Sequence, residues 1–193
     1  MANIIILEGL SRTGKSSISK ILSDKYKALN ISYKDKMPEY VKNLPDFYHG
    51  IHLTFSHIVK QFPNETFILD RSFISELVYS KFFKRNTYEN QGNLIEDLLF
   101  NNNFVIAYFS STYRNYLDRN PKDRIIYSEK DFIQQKDLFD WYYCKYKDLN
   151  ESEDWQSRFT EIDTNTTSMD NTIQIIENLL EQNNFIKNVL HEN

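Results

Sequence analysis

A short apolar run, residues 3–8, leads straight into Gly9-Leu10-Ser11-Arg12-Thr13-Gly14-Lys15-Ser16. Helical spacing follows at once over residues 15–29, where Ile18, Ile21, Leu22, Tyr26 and Leu29 are the apolar positions. This G-x-x-x-x-G-K-S pattern between a buried strand and an amphipathic helix constrains the chain more than any other feature. Glycines let the backbone close around a small anion, and the loop amides and the helix N-terminus supply positive partial charge. Lys15 reaches the β- and γ-phosphates of a nucleotide, and the Ser16 hydroxyl ligates Mg²⁺. The expected phosphate cradle is therefore Gly9, Ser11, Arg12, Thr13, Gly14, Lys15, Ser16 and Ser17, with ATP and Mg²⁺ as the implied ligands. A glycine turn that merely caps a helix is the structural alternative.

The rest of the chain alternates between strand-like and helix-like periods. Further strands are expected at 31–33, 66–70, 104–110 and 158–163, and helices at 47–62, 72–83, 93–100, 111–117, from 128 or 131 to 146, and 169–180. Residues 34–46, with Pro38 and Pro45, read as loop, as do 118–127 with Pro121. Residues 150–154 read as a polar link and 184–193 as a short helix or tail. Such alternation predicts an α/β fold, a five-stranded parallel sheet with helices on both faces, whose ligands bind beyond the C-terminal strand ends. Asp70, Ser110 and Asp163 all fall at such ends. One domain spanning 1–193 is expected, with a mobile lid at about 114–127.

Composition narrows the function classes. Lys and Arg total 23 against 27 Asp and Glu, a formal charge of −4, which carries no general nucleic-acid footprint. A single cysteine excludes an internal disulfide and a cysteine-only zinc site, and points to a reducing, cytoplasmic compartment. No apolar run approaches the roughly 20 residues that span a bilayer, so no membrane partner is expected. Cys144 is read as a packed residue. The spacing of His49, His52 and His57 does not suit zinc, although His49 or His52 could line an acceptor pocket. A switch GTPase would carry a guanine-reading Asn-Lys-x-Asp, which is absent; a small kinase fits the size.

Chemistry beyond the cradle is expected at Asp70-Arg71-Ser72. A carboxylate at a strand end beside the loop holds Mg²⁺ or orients an acceptor, and Arg71 grips an anionic substrate with its fork of donors. The bland alternatives are a helix-capping carboxylate for Asp70 and a surface ion pair for Arg71. Arg114, Arg119 and Arg124 recur every five residues around Lys122. They form either a solvated face or a basic lid that delivers positive charge to a phosphoryl group in transfer.

Three segments together resemble the thymidylate kinase and deoxynucleoside kinase group of P-loop phosphotransferases. They are Glu8 through Ser17, Asp70-Arg71-Ser72-Phe73-Ile74-Ser75-Glu76-Leu77-Val78-Tyr79, and Arg119 through Asp123-Arg124. The resemblance implies a P-loop nucleoside/nucleotide kinase fold, and Arg12 as a loop arginine that assists transfer. It makes Lys15, Asp70, Arg119 and Arg124 the remaining catalytic candidates, and Ser16 and Asp70 the metal ligands. Arg71 would hold the acceptor phosphate, while Ser75 and Tyr79 line the base and sugar pocket. Homodimerisation is a further implication.

The chain departs from the family at three places, one of them the downstream helix, which has no clear match to the family's base-reading arginine. Ser11 stands where thymidylate kinases have an acidic residue. Lys34-Asp35-Lys36-Met37-Pro38 stands where they have Arg-Glu-Pro and deoxynucleoside kinases Glu-Pro. Asp35 and Lys36 are the candidate replacements, and Phe47 or Tyr48 could stack on a base or pack in the core. The expectation is an ATP- and Mg²⁺-dependent kinase acting on a nucleoside 5′-monophosphate. A deoxynucleoside kinase is the close alternative, a polynucleotide 5′-kinase a more distant one, and a nucleotide-binding regulatory protein without turnover the rival of another class.

Overall fold

The structure is a computed structural model that describes residues 1–32, 44–86, 91–119 and 127–185, of which 44–48 and 91 by backbone alone. Five parallel strands lie in the order β2-β3-β1-β4-β5: β1 Asn3–Gly9, β2 Leu29–Ser32, β3 Thr66–Asp70, β4 Asn103–Ser110 and β5 Phe159–Asp163. The central β1 is buried throughout, and so is β4 after its first residue, which explains why both read as continuous apolar runs rather than alternating ones. Register aligns Leu7 with Asp70 and with Ala107, so the loop after β1 and the end of β3 emerge side by side.

Eight helices are described: α1 Lys15–Tyr26, α2 Leu44–Gln61, α3 Phe73–Phe82, α4 Gln91–Phe100, α5 Tyr113–Asp118, α6 Glu129–Lys147, α7 Glu153–Gln156 and α8 Met169–Gln182. Alternate side chains of the central strands feed two cores. Ile4, Ile6, Phe67, Leu69, Phe104, Ile106 and Tyr108 pack under α2, α3, α4 and α6. Ile5, Leu7, Ile68, Val105, Ala107 and Phe109 pack under α1 and α8. This is the expected sheet covered on both faces.

Several boundaries differ from the sequence reading. α1 stops at Tyr26 because Lys27 turns left-handed at φ 49° and its N–H closes on the Ser23 carbonyl, so Leu29 belongs to β2 and is exposed. No glycine marks that stop. α2 begins at Leu44 with Pro45 inside its first turn, where a missing N–H costs nothing. The polar link after α6 runs into a short helix, α7, capped by the Ser152 hydroxyl. Cys144 is exposed rather than packed: Phe139, Tyr143 and Tyr146 take the inward face of α6, which turns residue 144 away. Residues 186–193, and the lid apart from 114–119 and 127, lie outside the described residues. Among the described residues no helix is long and apolar enough to cross a membrane.

Candidate active site

The loop after β1 is shaped by two glycines with positive φ. Gly9 has φ 123°, and a Cβ there would run into the Phe109 carbonyl, with the Phe109 nitrogen 2.9 Å away. This contact is what lets Leu10 N–H donate to the Phe109 carbonyl at 3.3 Å and tie the loop to β4. Gly14, at φ 87°, turns the chain into α1, whose first turn carries no acidic residue and no side-chain cap. Such a helix start presents its amides and partial positive charge to an anion. Thr13 Oγ1 donates to the Leu10 carbonyl at 2.9 Å. Lys15, only 2% exposed, folds along the loop and donates to Thr13 Oγ1 at 2.8 Å and to the Leu10 carbonyl. Ser16 and Ser17 are exposed on the first turn.

Arg12 sits between these glycines in the left-handed region, at φ 63°. A non-glycine residue there costs on the order of 1 kcal/mol or more. Its side chain supplies the compensation. Nη1 donates to the Tyr116 carbonyl at 3.0 Å, and the guanidinium lies 4.3 Å from the centroid of the Tyr116 ring. Arg119 binds back to the same loop, donating through Nη1 to the Arg12 carbonyl at 3.4 Å and through Nη2 to the Thr164 carbonyl.

At the end of β3, Asp70 is buried beside Leu7. It does not cap α3; Ser72 occupies that place. Arg71 N–H donates to the Leu7 carbonyl at 3.0 Å, and its backbone is left-handed at φ 70°. Nor does Arg71 form a surface ion pair. It is 6% exposed, and its fork donates to Tyr79 OH at 2.8 Å, Ser75 Oγ at 3.3 Å and Ser11 Oγ at 3.1 Å. Ser11 Oγ also lies 3.5 Å from Tyr79 OH. Burial alone would loosen its proton, but the Tyr79 oxygen and the carboxylates of Glu8 and Asp70 outweigh it, so the Arg71 proton is held more tightly than usual.

Glu8 is the residue that sequence reasoning missed. In the sequence it stands only as the residue before the first loop glycine, and nothing in its spacing foretells its partners. It is 1% exposed and accepts from Ser72 N–H at 2.8 Å, Ser72 Oγ at 2.6 Å, Ser75 N–H at 3.2 Å and Ser75 Oγ. A carboxylate at the end of β1 thus anchors the start of α3. Ser75, expected in a base and sugar pocket, is buried between Glu8 and Arg71. Tyr79 is partly buried, with its hydroxyl on Arg71. Further along α3, Glu76 is buried against Ser80 Oγ at 2.6 Å and Arg85 at 3.9 Å, and burial raises its pKa.

On the other side of the loop, toward α8, lies a cleft of about 300 Å³. Arg12, Gly14, Phe109, Arg119, Thr164 and Met169 contribute to its walls. Its outer wall is the turn after β5, held by Asn165. The Asn165 side-chain oxygen accepts from Thr112 N–H at 3.0 Å and Asn115 Nδ2 at 2.6 Å, pinning the start of α5. Asp35, Lys36, the Phe47 side chain and Arg124 lie outside the described residues, and Arg114 is exposed on α5. His52 is buried edge-on to Phe73, 6.4 Å between ring centroids, and burial lowers its pKa to about 4. Among the described residues no cluster of three or more His, Cys, Asp or Glu could hold a metal ion. A hydroxyl and a carboxylate such as Ser16 and Asp70, completed by phosphate oxygens and water, are nevertheless hard oxygen donors of the kind Mg²⁺ takes.

The sheet order and the loop between β1 and α1 define the P-loop nucleoside/nucleotide kinase fold, and solved structures bear this out. The YorR protein of Bacillus subtilis, in complex with phosphorylated GDP, superposes with a TM-score of 0.70 at 23% identity over 94% of this chain and 98% of that one. Deoxyadenosine kinase from M. mycoides reaches 0.59 at 18% identity, covering 93% and 99% of the two chains. Thymidylate kinase from Candida albicans reaches 0.59 at 17% identity, covering 94% and 92%. Two of these structural neighbours are thus a nucleoside kinase and a nucleotide kinase, the group that the motifs resemble. No protein-family model and no curated protein sequence matches the chain.

Proposed function

We propose that this chain is an ATP- and Mg²⁺-dependent phosphotransferase whose acceptor is a nucleoside 5′-monophosphate. The observation that carries the reading is the contact of Arg71 with Ser11: a buried cation on the acceptor side touches the phosphate loop itself. The loop amides and Lys15 bind the β- and γ-phosphates, and Arg12 and Arg119 add positive charge at the loop's outer edge. Positioning and charge stabilisation supply most of what phosphoryl transfer needs. Arg71 orients the acceptor phosphate so that its oxygen faces the γ-phosphorus. Ser16 and Asp70 would hold Mg²⁺, which would offset the negative charge of the phosphates.

One feature favours a phosphate acceptor over a sugar hydroxyl. A hydroxyl gains from a carboxylate poised to take its proton, and Glu8, buried behind Ser75 and Arg71, is filled by four donors. The test is a panel of the four deoxynucleosides and their monophosphates with γ-labelled ATP. Label is expected on monophosphates, and it is lost in Lys15→Ala. Label on the deoxynucleosides alone would make the chain a deoxynucleoside kinase. Tight ATP binding with no labelled product from any acceptor would make it a regulatory nucleotide binder.

A further inference from the structure

The guanidinium of Arg12 leans on one residue of α5, Tyr116, in two ways. Nη1 donates to the Tyr116 carbonyl at 3.0 Å, and the guanidinium carbon lies 4.3 Å from the centroid of the Tyr116 ring. The two contacts act differently. A bond to a carbonyl occupies an N–H. Face-on contact with a ring fixes the plane of a guanidinium and leaves its N–H edge for an anion. A phosphate that took Nη1 over from the carbonyl would find the plane still in place.

Tyr116 is itself firmly fixed. It is buried, and its N–H donates to the Thr112 carbonyl at 3.0 Å, in the turn of α5 that Asn165 pins. Tyr113 stacks on its ring at 6.0 Å and 21°, and the rings of Phe132 and Tyr127 lie 5.3 and 6.4 Å away between centroids. The Tyr116 hydroxyl accepts from Tyr127 N–H at 3.0 Å, and Tyr113 OH donates to the Tyr127 carbonyl at 3.2 Å. Tyr127 in turn meets Phe82 of α3 edge-on at 5.9 Å. The ring beside Arg12 is therefore built into the aromatic packing that joins α5, α6 and α3. Arg12 contributes to the cleft wall and Tyr116 does not. An arginine without such a support samples many rotamers and has to be ordered before its charge can act.

We infer that Tyr116 is a positioning residue for phosphoryl transfer: its ring face holds the Arg12 guanidinium at the edge of the loop, where its charge meets the moving phosphoryl group. The inference rests on the reading above that Arg12 adds charge to that group, and it names what aims the charge. Tyr116 touches no reacting atom and acts only through Arg12.

Tyr116→Phe and the mono-, di- and trifluorinated phenylalanines at the same position test it. Fluorine withdraws negative charge from the ring face while hardly changing its size. Tyr116→Phe, which loses only the hydroxyl, is expected to keep kcat within about threefold of wild type, because the ring face stays. From there kcat is expected to fall with each fluorine, by about tenfold in all, equivalent to ~1.4 kcal/mol. The Kd for ATP and the acceptor KM should stay within about twofold, since the ring acts on the transferring group alone. A flat series overturns the inference. So does a fall already complete in Tyr116→Phe, which would place the role in the hydroxyl and Tyr127. The second arm needs no turnover: reaction of Arg12 with phenylglyoxal, read by peptide mass, should quicken along the same series as the ring lets go. An unchanged rate again overturns the inference. If the wild-type chain transfers label to no acceptor, the functional reading falls, and the phenylglyoxal arm alone decides whether the ring holds Arg12.

Discussion

Replacing Glu8 by glutamine is the sharpest probe of how the proposed acceptor side is built. The carboxylate takes three bonds on Oε1, from Ser72 N–H, Ser72 Oγ and Ser75 N–H, and one on Oε2, from Ser75 Oγ. An amide oxygen in the Oε1 position keeps the first three, now as neutral bonds. The amide nitrogen then faces Ser75 Oγ, which rotates to accept. Hydrogen bonds to a charged partner contribute about 1.5–3 kcal/mol and neutral ones about 0.5–1.5, so three downgraded bonds lose roughly 3 kcal/mol. Relief from burying a charge returns part of this, and a net loss of about 2 kcal/mol is expected.

Glu8→Ala should cost more, about 3–5 kcal/mol, because it leaves buried donors without an acceptor. Denaturant unfolding reads both. The functional consequence is selective. Arg71 loses a nearby negative charge, and the helix start that presents Ser75 and Tyr79 to it loosens. In Glu8→Gln the KM for a monophosphate acceptor should rise about tenfold, equivalent to ~1.4 kcal/mol, while the ATP affinity changes less than twofold. A variant as stable as wild type, or one in which donor and acceptor binding fall together, would refute the assignment of Glu8 to the acceptor side.

Lys15→Ala should remove transfer by on the order of 10³-fold or more, read by γ-label incorporation, since it deletes the loop's full positive charge. Gly9→Ala should unfold the chain or destabilise it by about 3 kcal/mol or more, read by thermal melting, because φ 123° and the Phe109 backbone both oppose a side chain. Arg71→Lys keeps the charge but not the fork that reaches Ser11, Ser75 and Tyr79, so acceptor KM should rise at least about tenfold with little change in ATP affinity. His52 has a folded pKa of about 4, below its unfolded value of 6.5, so its neutral form favours the fold. That stability is complete above pH 6.5 and is withdrawn as pH falls toward 4, by up to about 3 kcal/mol; unfolding curves of His52→Phe should lose that part of the acid slope.

The sheet and the phosphate loop were legible because their signals are local. A continuous apolar run, two glycines at fixed spacing and a helical period occupy six to fifteen consecutive residues, and each has one dominant physical reading. The acceptor side was half legible. Asp70-Arg71-Ser72 stood out as a polar cluster after a buried strand. That Ser72, not Asp70, starts α3, and that Arg71 is buried, follows from Glu8, some sixty residues earlier. Pairing across such a span is set by the parallel register of β1 and β3, which no local pattern encodes. The same holds for Asn165, one asparagine among many, whose role comes from β5 lying beside β4. A helix end is hidden where a non-glycine takes the left-handed turn, as at Lys27, and Cys144 is exposed despite its aromatic neighbours because the buried aromatics of its helix fill one face.

Strain ties these pieces into one site. Among the described residues, five non-glycines have positive φ, and two of them are Arg12 and Arg71. Each costs on the order of 1–3 kcal/mol and persists only when its surroundings over-determine it. Arg12 is held from the α5 side through Tyr116, and Arg71 from the α3 side through Tyr79 and Ser75. Ser11, the residue between Leu10 and Arg12, takes its own bond from Arg71. The loop is therefore fastened on both flanks by arginines whose backbones could relax if their side chains let go. A phosphate that draws Arg71 away from Ser11 would free one fastening, and one that draws Arg12 from Tyr116 would free the other. On the proposed reading, donor and acceptor would then meet across a loop whose conformation each of them alters, which would make binding of one dependent on the other without any contact between their bases.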